Sequence, residues 1–261
     1  MESGWAVLKD KPLLQRAEEF LTQYVLSGEV APGEYLPSEQ VLCERLGIGR
    51  STLREALSIM EAKGLVERRH GVGVRVTDRS YQAAASMLDL MLRRNRASQQ
   101  DLLEMRRLFE GQAAAWAAER ATQERVEAIR DALETMRSTQ TDLREYARAD
   151  LNFHLAVAKA TSNSVLILMV ETIRVLLLDV IVTSLRADYR PEVTLRFHEQ
   201  VLQAVSEHDP VKAARAMAAH LEDADAMIRR AEADEGETSA TDASTNAVSD
   251  EAKGPPVGPE R

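Results

Sequence analysis

Residues 36–77 constrain this chain more than any other stretch: LPSEQVLCERLGIGRSTLREALSIMEAKGLVERRHGVGVRVT. Ser38 follows Pro37 and suits a helix N-cap, with Glu39 in the favourable first turn. Val41, Leu42 and Leu46 give that helix an apolar side, and Gly47 breaks it. Cys43, four residues before Gly47, is small enough for a second helix to approach closely. That second helix is expected from about Arg50 to Lys63, where Leu53, Leu57 and Met60 recur at helical spacing. Gly64 suits the position just past its end. Leu65–Arg69 and Gly73–Thr77 then alternate as strands around His70-Gly71-Val72. Helix, turn, helix and a hairpin with Arg68, Arg69, His70 and Arg75 make a winged helix-turn-helix, which sets one helix into the major groove of DNA. Two short amphipathic helices alone would be commonplace; the basic hairpin that follows them is what favours DNA.

The stretch PGEYLPSEQVLCERLGIGRSTLREALSIMEAKGLVERRHGVGVRV, residues 32–76, resembles the N-terminal domain of the GntR family of bacterial transcription regulators without a gap. The resemblance implies base and phosphate contacts from Arg50 and Arg54, phosphate contacts from Ser51 and Thr52, and a wing of Arg69, His70 and Gly71 entering the minor groove. Two positions depart from the family pattern. Gln40 stands where many members have arginine, so that contact is weaker or different. Gly49 replaces the usual serine before the recognition helix and brings no side-chain acceptor.

A net charge of −9 looks unsuited to DNA until its distribution is read. The stretch after Arg230 holds eight acidic and two basic residues, whereas residues 36–77 hold seven basic and five acidic ones. Affinity for DNA would come from this local basic face, doubled in a homodimer.

The chain of 261 residues has room for a small reader and a larger domain with its own core. The expected fold is mainly α: three helices and a β-hairpin, then an all-α bundle of six to seven helices. Pro12 opens a helix that Gly28 ends. Further helices are expected at 81–94, 99–120, 123–138, 142–160, 163–185, 191–208 and 210–232, with the joint between domains at 78–80. The expected domains are 8–78, 79–232 and an acidic tail, 233–261, whose lack of apolar periodicity predicts disorder. The single cysteine excludes an intrachain disulfide and points to a reducing, cytoplasmic setting. The segment MESGWAVLKDKP lacks the apolar centre of a signal peptide. The apolar run Ser164–Leu185 is interrupted by Glu171, Arg174 and Asp179, which fits a buried helix and no membrane partner.

A second constellation lies in the larger domain. Asp150 and His154, four apart, share one helix face, while His198 and His220 sit in two further helices. Converged, they would hold a divalent metal; zinc comes first, and nickel, manganese or iron also suit imidazole and carboxylate. Left apart, each histidine would be an ordinary hydrogen-bonded core residue. His70 and His208 fall in turns and read as non-ligands.

The segments LLEMRRLFEGQAAAWAAERAT, DLNFHLAVAKATSN and HEQVLQAVSEHDPVKAARAMAAHL resemble the effector-binding domain of the FadR-like branch, called FCD. Many such domains bind metal through an Asp-x-x-x-His pair and two later histidines, here Asp150, His154, His198 and His220. The resemblance further implies a helical-bundle cavity for a small organic or sugar acid, with Arg106 meeting its carboxylate and Asn152 and Asn163 nearby. Arg106 and Arg107 have a plainer reading, as partners of Glu104 and Glu110 on their own helix. Together the two resemblances imply no enzyme but a ligand-responsive, dimeric repressor of operator DNA. A metal-dependent hydrolase or lyase, or a direct metal sensor, is the alternative that a His₃Asp site keeps open.

Overall fold

The computed structural model describes residues 12–250, with side chains through Ala231 and at Ala233. The chain divides into two compact units between Arg96 and Ala97. The first begins with α1 (Leu13–Leu26), whose buried Ala17, Leu21 and Val25 recur every four residues. α1 packs against α3 (Arg50–Ala62), which buries Leu53, Ala56, Leu57 and Met60. Between them lies α2 (Glu39–Leu46). The Ser38 hydroxyl caps it by accepting from the Val41 N–H at 3.4 Å. Gly47 ends it at φ 63°, and the Ile48 N–H donates to the Cys43 carbonyl.

β1 (Val66–Arg69) and β2 (Gly73–Val76) pair antiparallel, with Val66 opposite Val76 and Arg69 opposite Gly73. β2 also takes a partner that local patterning does not predict. The Leu36 N–H donates to the Val74 carbonyl and the Val76 N–H to the Glu34 carbonyl, both at 2.8 Å. The segment before α2 therefore braces the wing. Gly64, between α3 and the wing, has φ +72°, and a Cβ there would lie 2.5 Å from the Arg79 carbonyl oxygen. Only glycine satisfies both the left-handed backbone and this close approach.

α4 (Ser80–Arg94) follows β2 directly and belongs to the first unit. The break between units therefore comes after Arg96, whereas sequence patterning had put the joint at 78–80. Arg96 takes φ 54°, and Ser98 and Asp101 close a capping box at the start of α5. The positive φ falls just past the end of α4, and the capping box starts α5.

The second unit contains α5 (Gln99–Arg120), α6 (Gln123–Ser138), α7 (Leu143–Ala160), α8 (Ser164–Ala187), α9 (Pro191–Ser206) and α10 (Pro210–Asp250). The side chains of Thr122, Asp142 and Asn163 cap α6, α7 and α8. α5 packs on α7, α8, α9 and α10, α7 also packs on α6 and α8, and α10 also packs on α8 and α9. Ala113, Ala114, Ala117 and Ala118 on α5 are buried and small, which permits close approach of its neighbours. The expected bundle is thus present: six helices in this unit, and α4 before them.

α10 continues to Asp250, so residues 233–250 are helical where disorder was expected. A helix already nucleated and packed over its first turns extends at little further cost. The start of the reader domain at residue 8 and the last tail residues, 251–261, lie outside the described residues.

Candidate metal centre and nucleic-acid interface

Asp150 and His154 lie one turn apart on the most buried face of α7; α9 brings His198 and α10 brings His220 to the same point. One ligand atom from each of the four lies within 4.8 Å of all the others. His154 Nε2 stands 3.1 Å from His220 Nε2, and His198 Nε2 stands 3.2 Å from Asp150 Oδ1. The outer nitrogens are engaged elsewhere: His198 Nδ1 with the Thr194 carbonyl at 2.8 Å, and His154 Nδ1 with Glu110 Oε2 at 2.7 Å. Both partners are acceptors, which assigns the ring proton of each to Nδ1. His198 Nε2 and the Asp150 carboxylate then face each other as bare acceptors. A cation among them resolves that conflict, and three imidazoles with one carboxylate suit a borderline divalent ion.

The electrostatics agree. Burial alone would raise the Asp150 carboxyl, but the surrounding imidazoles, His198 first among them, outweigh it and hold it well below the usual range. Burial opposes ionisation of Glu110 too, and Arg106 and His154 overcome it, so its carboxyl is lowered. Burial, helped by His198 and His154, pushes His220 well below the ordinary histidine value, leaving the neutral ring that a metal ligand needs.

A small cavity adjoins the cluster, lined by Arg106, Tyr146, Asp150, Ser184, Thr194 and His220 among others. Its volume of about 20 Å³ compares with the roughly 10–15 Å³ that one water requires. Arg106 is 1% exposed. Its Nε donates to Glu110 Oε1 at 3.1 Å, so the plainer reading of this arginine holds in part. Its Nη2, however, is buried without a partner, as is the Tyr146 hydroxyl, whose ionisation burial pushes up.

Asn152 and Asn163 are not brought to the cavity. Asn152 is exposed and accepts from Arg174 Nη1 at 2.5 Å; it sits on the outer face of α7, two residues before His154. Asn163 spends its carbonyl oxygen on the Val165 and Leu166 N–H groups as the cap of α8. Sequence reasoning missed Glu110 as a neighbour of the cluster, along with Tyr146 and Thr194. Only Glu110 had a signal, its spacing of four from Arg106.

In the first unit, Arg50 and Ser51 are exposed at the start of α3 and Thr52 is half-buried. Gly49 supplies no side-chain cap, which leaves the first N–H groups of α3 open to an anion. Arg54 is 62% exposed along its side chain and donates to Glu39 Oε2 at 2.9 Å. A groove runs from Ser38 and Glu39 past Arg54 to Arg68, Arg69 and His70. Arg68 donates to Ser58 Oγ at 2.9 Å and to the Arg54 carbonyl, tying the wing to α3. Arg69 pairs with Glu67, and His70 and Gly71 are exposed at the wing tip. Gln40 is exposed on α2 and donates to Glu44 at 3.1 Å.

Comparison with known proteins bears on both halves. Residues 13–76 match "Bacterial regulatory proteins, gntR family" and residues 101–223 match the "FCD domain". The chain is 34% identical over 208 residues to the HTH-type transcriptional regulator LutR of Bacillus subtilis, covering 76% of this chain and 92% of that one. It is 32% identical to the HTH-type transcriptional repressor NanR of Enterobacter sp., covering 82% and 84%. It is 30% identical to the Glc operon transcriptional activator of Escherichia coli K12, covering 81% and 87%. Streptococcus agalactiae GntR has the same fold, with a TM-score of 0.66 at 23% identity over 80% of this chain and 98% of that one. No helix among the described residues is long and apolar enough to cross a membrane. The relatives are regulators rather than enzymes, so water activation by the His₃Asp cluster is not the function. The chain belongs to the GntR family of DNA-binding transcriptional regulators, with an FCD domain for a small-molecule effector and a buried cluster that could hold a metal.

Proposed function

We propose that the protein is a cytoplasmic homodimer that represses transcription from a palindromic operator, and that a small organic or sugar acid bound at the metal centre modulates that binding. Double-stranded operator DNA meets Arg50, Arg54, Ser51 and Thr52 of α3 in the major groove. Gln40 adds a contact from α2, and Arg69, His70 and Gly71 follow the minor groove. One reader covers a half-site, so specific binding needs a second copy related by two-fold symmetry. Val165, Leu168 and Met169 form an exposed apolar row on α8 that a second copy would cover.

The observation that carries the effector reading is the unpartnered Arg106 Nη2, buried in the wall of a cavity that also exposes Asp150 and His220. Asp150, His154, His198 and His220 would hold the ion, zinc first among the candidates, which supplies a Lewis-acidic partner for an effector oxygen. The buried groups also favour an anion. With Asp225 paired to Arg107 and Asp223 to Arg190, Arg106 is outnumbered by Glu110 and Asp150, an excess of one negative charge. A divalent ion turns this into an excess of one positive charge, which a monocarboxylate neutralises. The second reading is a direct metal sensor, favoured by the small size of the cavity: an acid must open it, whereas an ion need not.

A thermal-shift screen of organic and sugar acids on zinc-loaded protein tests the first reading, because a ligand specific for the folded state raises its stability. An acid that stabilises the protein and shifts operator affinity in an anisotropy titration supports it. Operator binding that responds to zinc and to none of the acids supports the sensor.

A further inference from the structure

We propose that Glu110 is a positioning residue that serves the metal centre and the cavity at once, one carboxylate oxygen orienting His154 for ligation and the other orienting Arg106 toward an incoming anion. Its use to the metal rests on the metal reading above; its geometry does not. Glu110 is 4% exposed and lies one helical turn from Arg106 on α5. A carboxylate so buried persists only where charged groups hold it. Its two partners belong to different tasks. Oε2 is 2.7 Å from His154 Nδ1, an ion-pair contact outside hydrogen-bond geometry, and Oε1 accepts from Arg106 Nε at 3.1 Å.

The first contact keeps the His154 proton on Nδ1 and so leaves Nε2 as the donor atom, 3.9 Å from Asp150 Oδ2 and 3.1 Å from His220 Nε2. The second contact acts through the rigid plane of the guanidinium. Holding its Nε edge sets where Nη2 points, and Nη2 is the buried atom without a partner. Glu110 is not among the residues that line the cavity. It would touch neither metal nor effector and would act on both through their ligands.

Glutamine separates this role from simple space-filling. It has nearly the same shape but only one acceptor oxygen, and its amide NH₂ would face a donor N–H. One of the two contacts must therefore break.

The experiment is zinc affinity by competition with a chromophoric chelator, on wild type, Glu110→Gln and Arg106→Met. It is paired with long-range ¹H–¹⁵N spectra of the histidine rings in metal-free protein. We expect Glu110→Gln to bind zinc about 10–100-fold more weakly, the usual effect of losing a group that orients a metal-bound histidine. We expect Arg106→Met to weaken zinc less than Glu110→Gln does, because Glu110 keeps its contact with His154. In the spectra, His154 should carry its proton on Nδ1 in wild type and lose that preference in Glu110→Gln.

If the single Gln variant does not fold, Arg106→Met/Glu110→Gln removes the charge pair together and is read in the same way. Unchanged zinc affinity in the Gln variants, or equal weakening by Arg106→Met, would overturn the proposal. So would a His154 tautomer indifferent to Glu110. Wild type that binds no zinc, with the tautomer preference intact, would instead remove the metal reading and leave Glu110 as the group that orients His154.

Discussion

The two units of this protein solve opposite problems. The reader displays its candidate DNA contacts: Arg50, Ser51, Arg54 and His70 are all exposed, on a core that runs through Leu21, Leu53, Leu57 and Met60. The sensor hides its own: Asp150, His154, His198, His220, Arg106 and Glu110 are all buried. A displayed cation needs only a scaffold beneath it. A buried ionisable group must have every hydrogen bond accounted for, and the remaining unpaired atoms then mark where a ligand belongs. In the reader, function is therefore read from position. In the sensor it is read from what is missing.

That contrast can be broken from the reader side first. Gly64→Ala combines strain at positive φ, worth about 1–3 kcal/mol, with a backbone clash against Arg79. It should be the most destabilising of these changes, measured by chemical denaturation. A change within a few tenths of a kcal/mol would mean that the α3-to-wing junction is not the rigid support assumed here. Next in size is Arg54→Ala. It should cost about 1–3 kcal/mol of operator binding and relax sequence preference, with stability nearly unchanged. Equal affinity for specific and altered operators, before and after the substitution, would remove Arg54 from base reading.

The sensor side is sharpened by two residues that the structure moves out of the cavity. Asn163→Ala should lower stability by roughly 1 kcal/mol through loss of the α8 cap. Asn152→Ala, on an exposed face, should do less. Neither should alter the response to an acid that binds wild type. A lost response in either would return that asparagine to the effector site.

The same contrast explains how much the sequence disclosed. The reader is built from contacts close along the chain, so Ser38, Gly47, Gly64 and the Leu53–Met60 stripe carried its fold. What escaped notice there is the bracing of β2 by Glu34–Leu36, a pairing about forty residues distant along the chain. In the second unit, the expected spans 99–120, 123–138 and 142–160 fall within a residue or so of α5, α6 and α7. The pair Asp150 and His154 was visible because helical spacing puts both on one face. Glu110 was not assigned to the cluster, because nothing local joins α5 to His154 on α7. Asn152, which the resemblance put near the effector, neighbours the ligands in sequence, but a two-residue step turns it outward. Residues 233–250 looked disordered because composition carries no record of the packed turns that α10 extends from.

We propose that the buried cluster is a metal site rather than a set of core polar groups. Elemental analysis of purified protein, supplemented with zinc at neutral pH and then desalted, tests it most directly. We expect about one divalent ion per chain, reduced when His154, His198 or His220 is replaced by alanine, because helix packing cannot substitute for a lost ligand. Protein that remains folded and retains no metal under those conditions would contradict it.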